Sequence, residues 1–269
     1  MEYKLGIIGY GGMGSWHHKN SVKVPGLKVT SAFDIDQQRL KIAAENGVAE
    51  TAFFIKNSCT EGYSIRWFTP DIEMDLCGHA TLATAFIIAR ESDKPIGEIL
   101  FTSASGELRV AVDNDLFTLN FPSRTAMPAT LPRETYDSLS IKPLEVLKER
   151  DYLLIYKSQE QIEEIEIDRN LFDMVNMGPG GVIITAPASE PEVDFVSRFF
   201  TPQSTILEDP VTGSAHCTLI PYWSARLGKQ VMTAKQISPR GGTLFCKDCG
   251  DRVLISGTAR LYSKGMIRL

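Results

Sequence analysis

The sequence predicts an α+β protein made of two pseudo-repeated lobes, each holding a central buried helix. Three observations carry this. Two segments resemble each other: "RWFTPDIEMDLCGHATLATAFIIA" at 66–89 and "RFFTPQSTILEDPVTGSAHCTLIPYWSA" at 198–225 both open on Arg-(Trp/Phe)-Phe-Thr-Pro. Both then reach Gly-x-Ala, at Gly78-His79-Ala80 and Gly213-Ser214-Ala215, before an apolar helix. Each copy also follows an apolar strand, "AFFI" at 52–55 and "GVIITA" at 181–186. The copies lie about 130 residues apart, far beyond a solenoid period, so the repeat means two related lobes.

The chain starts differently. "KLGIIG" at 4–9 reads as a buried strand ending in glycine. A helix-compatible stretch runs from Ser15 to Val24 and is broken by Pro25-Gly26. "LKVTSAFD" at 27–34 is β-branched and aromatic, a second strand, and a helix over 36–46 follows with Gly47 just past its end. Gly9, Gly11 and Gly14 fit Gly-x-Gly-x-x-Gly in the first turn, and Asp34 closes the second strand. Such glycines let backbone approach a pyrophosphate at a helix N-terminus, and the aspartate would take ribose hydroxyls. The unit lacks the further strands that floor a nicotinamide site. A nucleotide-binding segment and a βαβα unit used only for packing both stay open.

In "VAETAFFI" at 48–55, Glu50 is the only charge in an apolar strand. Burial there would raise its pKa toward the range of a general acid or base; a strand-start glutamate facing water is the competing reading. The repeated helices are apolar on most sides and need covering by strands. Each starts at a glycine and so leaves backbone N–H groups free at its N-terminus. Two such ends, one per lobe, predict a cleft for an anionic substrate such as a carboxylate. "LFTLNFP" at 116–122 closes lobe 1, "SRTAMPATLP" at 123–132 reads as a linker, and lobe 2 follows to 269, with a last strand that either lobe can take.

Composition narrows the function classes. With 43% apolar and 23% charged residues, 269 residues suffice for a substantial core. A net charge of −5 gives no electrostatic case for nucleic acid or an anionic membrane. The longest apolar run, "ATLATAFIIA" at 80–89, has the length of a buried helix rather than of a membrane span, and the apolar run after Lys4 is too short to read as a signal peptide. Five cysteines (Cys59, Cys77, Cys217, Cys246, Cys249) suit a reducing cytoplasm, and the lone Cys246-x-x-Cys249 reads as a hairpin turn.

Two resemblances follow. "GIIGYGGMG" with "AFDIDQQRLKIAAENGV" resembles the Rossmann-like start of the glucose–fructose oxidoreductase / inositol dehydrogenase family, over residues 1–48. "AENGVAETAFF", "IRWFTPDIEMDLCGHATLATA", "FFTPQSTILEDPVTGSAHCTL" and "ISPRGG" resemble the PhzF-like phenazine-biosynthesis family, which shares the two-lobed fold of diaminopimelate epimerase, over residues 43–269. The second resemblance implies a proton-shifting isomerase that uses no metal or cofactor; its best-known member isomerises trans-2,3-dihydro-3-hydroxyanthranilate. It implies that Glu50 removes and returns the proton, while His79, Asp209 and Ser214 orient a small carboxylate-bearing substrate beside Gly78 and Gly213. The helix dipole at His79 would hold its ring neutral. Arg240 in "SPRGG" either reaches a substrate carboxylate or merely turns the chain. A two-thiol racemase is disfavoured because Cys77 precedes its glycine by one residue, whereas Cys217 follows Gly213 by four.

The two resemblances meet near "AAEN" at 43–46, which reads as a chimeric junction. The strands at 4–9 and 27–34 are then expected to pair with the lobe-1 sheet in place of the family's own first strands. The resemblance also carries a homodimer as the family's usual state. An NAD(P)-binding oxidoreductase fragment and a folded chimera without activity are the alternatives.

Overall fold

The computed structural model describes residues 3–8, 27–33, 51–58, 61–68, 73–74, 76–178 and 180–261, with the first two segments given as backbone. It divides into two units: Met1–Phe117 with the C-terminal residues from Thr258, and Thr118–Gly257.

In the first unit, β1 (Tyr3–Ile8) and β2 (Leu27–Phe33) match the two strands read from the sequence. They pair with each other in parallel and form a sheet of their own. The expectation that they would join the lobe-1 sheet is therefore corrected: β1 runs alongside β3 (Thr51–Lys56) but in a separate sheet. The glycine loop with Gly9, Gly11 and Gly14, as well as Asp34 and Glu50, lies outside the described residues.

The larger sheet of this unit contains β3, β4 (Tyr63–Phe68), β6 (Glu98–Ser103) and β7 (Gly106–Asp113), with β5 (Glu73–Met74) on the side of β4. β3–β4 and β6–β7 are antiparallel, whereas β4 and β6 are parallel. A parallel neighbour needs a crossover, and α1 (Gly78–Arg90) supplies it. Ala80, Thr81, Thr84, Ala85 and Ile88 bury one face of α1, while Leu82, Phe86 and Ile87 are half-buried. The helix is thus one-sided rather than covered all round, and Phe86 meets Phe117 edge-on, with 6.0 Å between ring centroids.

The second unit repeats the plan. β12 (Val182–Pro187) and β13 (Phe195–Phe200) are antiparallel, α5 (Gly213–Leu227) crosses over, and β14 (Val231–Gln236) returns parallel to β13. β15 (Gly242–Asp248) and β16 (Arg252–Gly257) complete an antiparallel meander. Cys246 is buried within β15 and only Cys249 lies in the turn between the two strands, exposed, so the stretch from 246 to 249 is mostly strand rather than turn. Beside β16 lies the end of β8 (Leu116–Pro122), where Arg252 donates to Asn120 Oδ1 at 2.7 Å.

On the other side of β12 come β11 (Tyr152–Ile155), parallel to it, then β10 (Glu145–Lys148) and β9 (Met127–Pro128). "YLLI" and "VIITA" are buried without alternation, as strands covered on both faces must be. One face packs Tyr152, Leu154, Val182 and Ile184 against Ile162 and Phe172 from the short helices α3 (Gln159–Glu164) and α4 (Arg169–Phe172). On α5, Trp223 stacks on Phe195 with centroids 5.5 Å apart and donates from Nε1 to Thr185 Oγ1 at 3.0 Å.

Residues 123–132 are not a free linker. Ser123 donates its amide to the Asp251 carbonyl, Ala129 to that of Val146, and Leu131 is buried in the core just before α2 (Arg133–Ser138). Arg124 donates its amide to the Cys217 carbonyl at 2.9 Å. That carbonyl is the one Pro221, inside α5, leaves without its helical donor.

Candidate functional site

The loop from Thr201 to Thr212 carries the second-unit residues expected to act. Its neck is closed by Thr201 donating to the Leu207 carbonyl at 2.9 Å and Asp209 to the Phe199 carbonyl at 3.1 Å. Arg198 grips Glu208 through both oxygens, at 2.7 and 2.9 Å. This fixes the residue before Asp209.

The N-terminus of α5 is the chemical feature of this loop. Thr212 is its N-cap residue, a position where threonine ordinarily accepts from the first-turn N–H groups. Here the hydroxyl instead donates to Asp209 Oδ2 at 2.5 Å, and no side chain caps the helix. No acidic residue sits in the first turn. A 15-residue helix dipole thus ends in uncapped donors, the arrangement that attracts an anion.

Ser214, two residues in, accepts from Arg150 Nη2 at 3.0 Å. The same guanidinium holds Asp151 from Nη2 at 2.9 Å and from Nε at 3.2 Å. Asp151 is 0% exposed and also accepts the Gly181 amide at 2.9 Å. A buried carboxylate needs such partners. Farther along, His216 donates from Nδ1 to the Thr212 carbonyl at 2.8 Å, which fixes its tautomer. Burial lowers its pKa to about 4, against a smaller opposing effect of that hydrogen bond. The ring is neutral at pH 7.

The first unit has the matching construction. Glu73 precedes Gly78 by five residues, as Glu208 precedes Gly213. Arg66, the first residue of its motif, bonds Glu73 at 2.6 Å as Arg198 bonds Glu208. Each arginine also lies over a phenylalanine two residues on, Phe68 at 5.1 Å and Phe200 at 4.9 Å. Cys77 takes the N-cap position of Thr212 and again leaves its helix uncapped. Thr81 donates to the Cys77 carbonyl at 2.5 Å, as His216 does to that of Thr212. His79 stands where Ser214 stands, half-buried, with Nε2 4.0 Å from Cys77 Sγ.

The correspondence sets Cys217 against Leu82, not against Cys77. Cys217 is fully buried inside α5, its thiol directed at the Gly213 carbonyl and its pKa pushed up to about 11 by burial. It has no access to a reacting carbon, which argues against a two-thiol pair.

The expected residues Asp209, Gly213 and Ser214 come together at one end of α5, and Gly78 and His79 at the N-terminus of α1. Arg240 is exposed on the turn after β14. The segment around it has a different use: Ser238 donates to the Pro210 carbonyl at 2.7 Å. Reading the sequence missed Arg150, Asp151 and Gln236. The first two sit in "KERDY", indistinguishable from a solvated charge cluster. Gln236 did leave a signal, since "VMTAKQ" alternates and places it inward with Met232 and Ala234.

The comparisons with known proteins agree with this geometry. Residues 29–265 match the family model described as phenazine biosynthesis-like protein. An uncharacterised isomerase of Pseudomonas aeruginosa is 41% identical over 236 residues, 87% of this chain and 89% of that protein. The crystal structure of a PhzF-family phenazine biosynthesis protein from Enterococcus faecalis superposes with a TM-score of 0.77 at 42% identity, covering 86% of each chain. A predicted epimerase from Pseudomonas aeruginosa, 14% identical, shares the fold at a TM-score of 0.65 over 98% of this chain and 92% of that one. The match from residue 29 takes in β2 and runs through 43–46. This corrects the junction expected there, and a Rossmann-like replacement of residues 1–46 gains no support. A strand, an aspartate and an amphipathic helix form a pattern too local to tell one α/β family from another.

Proposed function

The chain belongs to the phenazine biosynthesis-like protein family, and from that premise we propose that it is an isomerase or epimerase moving a proton on a small carboxylate-bearing molecule without a cofactor. The observation that carries this reading is the uncapped N-terminus of α5, with no acidic residue in its first turn and the hydroxyl of its N-cap Thr212 directed at Asp209. The match to an isomerase at 41% identity supports the reaction class.

In this reading Glu50, the residue before β3, takes the proton and returns it. Asp209 accepts from a substrate amine or hydroxyl. Ser214 donates to the carboxylate, as do the N–H groups beside Gly213. His79 and Gly78 contribute in the same way at α1, and Arg240 adds positive charge at the rim. General base catalysis of this kind is worth roughly 10²–10⁴-fold.

The test is deuterium uptake from D2O into candidate substrates, read by mass spectrometry, with trans-2,3-dihydro-3-hydroxyanthranilate first. Wild type incorporates label and E50Q does not, at an unchanged melting temperature. Undiminished incorporation in E50Q removes Glu50 from the role.

A further inference from the structure

The loop 209–212 is held by more than its internal bond from Thr212 to Asp209. Every one of its four residues is met by the segment 236–242 of β14, its following turn and the start of β15. Gln236 is 1% exposed, and both polar atoms of its side-chain amide are hydrogen-bonded. Its Oε1 accepts the Thr212 amide at 2.7 Å. Its Nε2 donates to the Asp209 carbonyl at 2.7 Å and to Thr212 Oγ1 at 3.2 Å. Ser238 takes the Pro210 carbonyl, and the Gly241 amide donates to Ser238 Oγ at 3.0 Å. At Gly242 a Cβ would come within 2.6 Å of Val211, so only glycine lets this strand approach.

The bond from Nε2 to Thr212 has a consequence for the helix. A threonine hydroxyl that caps a helix accepts a first-turn N–H through its oxygen. In this protein that oxygen accepts from Gln236 and gives its proton to Asp209, two bonds that hold the side chain in an orientation in which it caps no first-turn N–H. We infer that Gln236 is a positioning residue: it ties down both ends of the 209–212 loop, orients Asp209, and keeps Thr212 from capping α5, so that the first-turn N–H groups stay available to a carboxylate. The inference rests on the carboxylate-binding reading of α5 given above. It assigns "QISPRGG" a role in shaping the anion site that does not depend on Arg240.

The test uses the full chain as wild type, Q236L and T185V. The last breaks two comparably buried bonds, from Thr185 Oγ1 to the Val196 carbonyl and from Trp223 Nε1 in the C-terminal half of α5, both away from the loop. Amide exchange and a benzoate titration are followed by NMR at Thr212, Gly213, Ser214 and Ala215. In Q236L the Thr212 amide exchanges at least tenfold faster and benzoate binds at least tenfold more weakly. T185V loses melting temperature yet binds benzoate within twofold of wild type. Benzoate affinity within twofold of wild type in Q236L, or an equal loss in T185V, overturns the inference. If wild type shows no benzoate shift at Ser214 and Ala215, the anion-site reading fails. Exchange then decides: faster exchange confined to 212–215 in Q236L upholds the positioning role, and unchanged exchange ends it.

Discussion

Arg150 and Ser214 form a one-way pair. Nη2 donates to the serine Oγ at 3.0 Å, and a guanidinium has no lone pair to accept in return. The serine proton is therefore kept for another acceptor. The sequence reading gave Ser214 a substrate-orienting role without a direction; the arginine makes it a donor.

Removing either partner should lower the rate of label uptake, and the two losses should not add. S214A is expected to lose roughly tenfold or more in kcat/KM, with R150M/S214A no slower than R150M. R150M also strands Asp151, 0% exposed, and should cost about 3 kcal/mol in urea unfolding. R150M/D151L should regain part of that stability. Equal stability of R150M and R150M/D151L would show that the buried carboxylate does not set the cost.

Gly181 anchors the same carboxylate through its amide. A Cβ there would lie 2.5 Å from Phe199 Cζ and 2.6 Å from the Phe200 carbonyl oxygen. G181A should lower stability by about 2 kcal/mol or more through overpacking against backbone. At Gly97, where a Cβ meets nothing within 4 Å, the same substitution should be close to neutral. Thermal melts of the two variants make the comparison.

His216 predicts an acid-side weakness. The unfolded chain protonates this imidazole below pH 6.5, and the folded chain does so only at about 4. Its contribution is thus complete above pH 6.5 and is lost as pH falls through that window. A drop from 6.5 to about 4 corresponds to on the order of 3 kcal/mol. H216Q, measured by urea midpoints from pH 7 to 4, should show a shallower decline than wild type. Parallel curves would mean that the ring does not titrate differently in the two states.

Pro221 should be nearly silent. A proline inside a helix usually costs about 3 kcal/mol, in part because a carbonyl one turn back loses its donor. Here the Arg124 amide supplies that donor to Cys217 at 2.9 Å. P221A should shift stability by less than about 1 kcal/mol, while a gain well above that in denaturant titrations would mean that the Arg124 bond does not compensate.

The sequence by itself determined the plan of the molecule. The two Arg-aromatic-Phe-Thr-Pro segments, their Gly-x-Ala helix starts and the apolar strands before them mark paired lobes. Apolar periodicity and a repeated motif are local properties, and Asp209, Gly213 and Ser214 lie close together in the chain. Only the tertiary structure could decide what surrounds them. Arg150 is 64 residues from Ser214 and Gln236 is 24 from Thr212, so neither spacing carries a pattern. The donor that Ser214 accepts from, and the orientation in which Thr212 leaves its helix uncapped, depend on which buried groups the fold places beside each hydroxyl. That choice is settled by packing, because a buried polar group takes the partner the fold brings within about 3 Å.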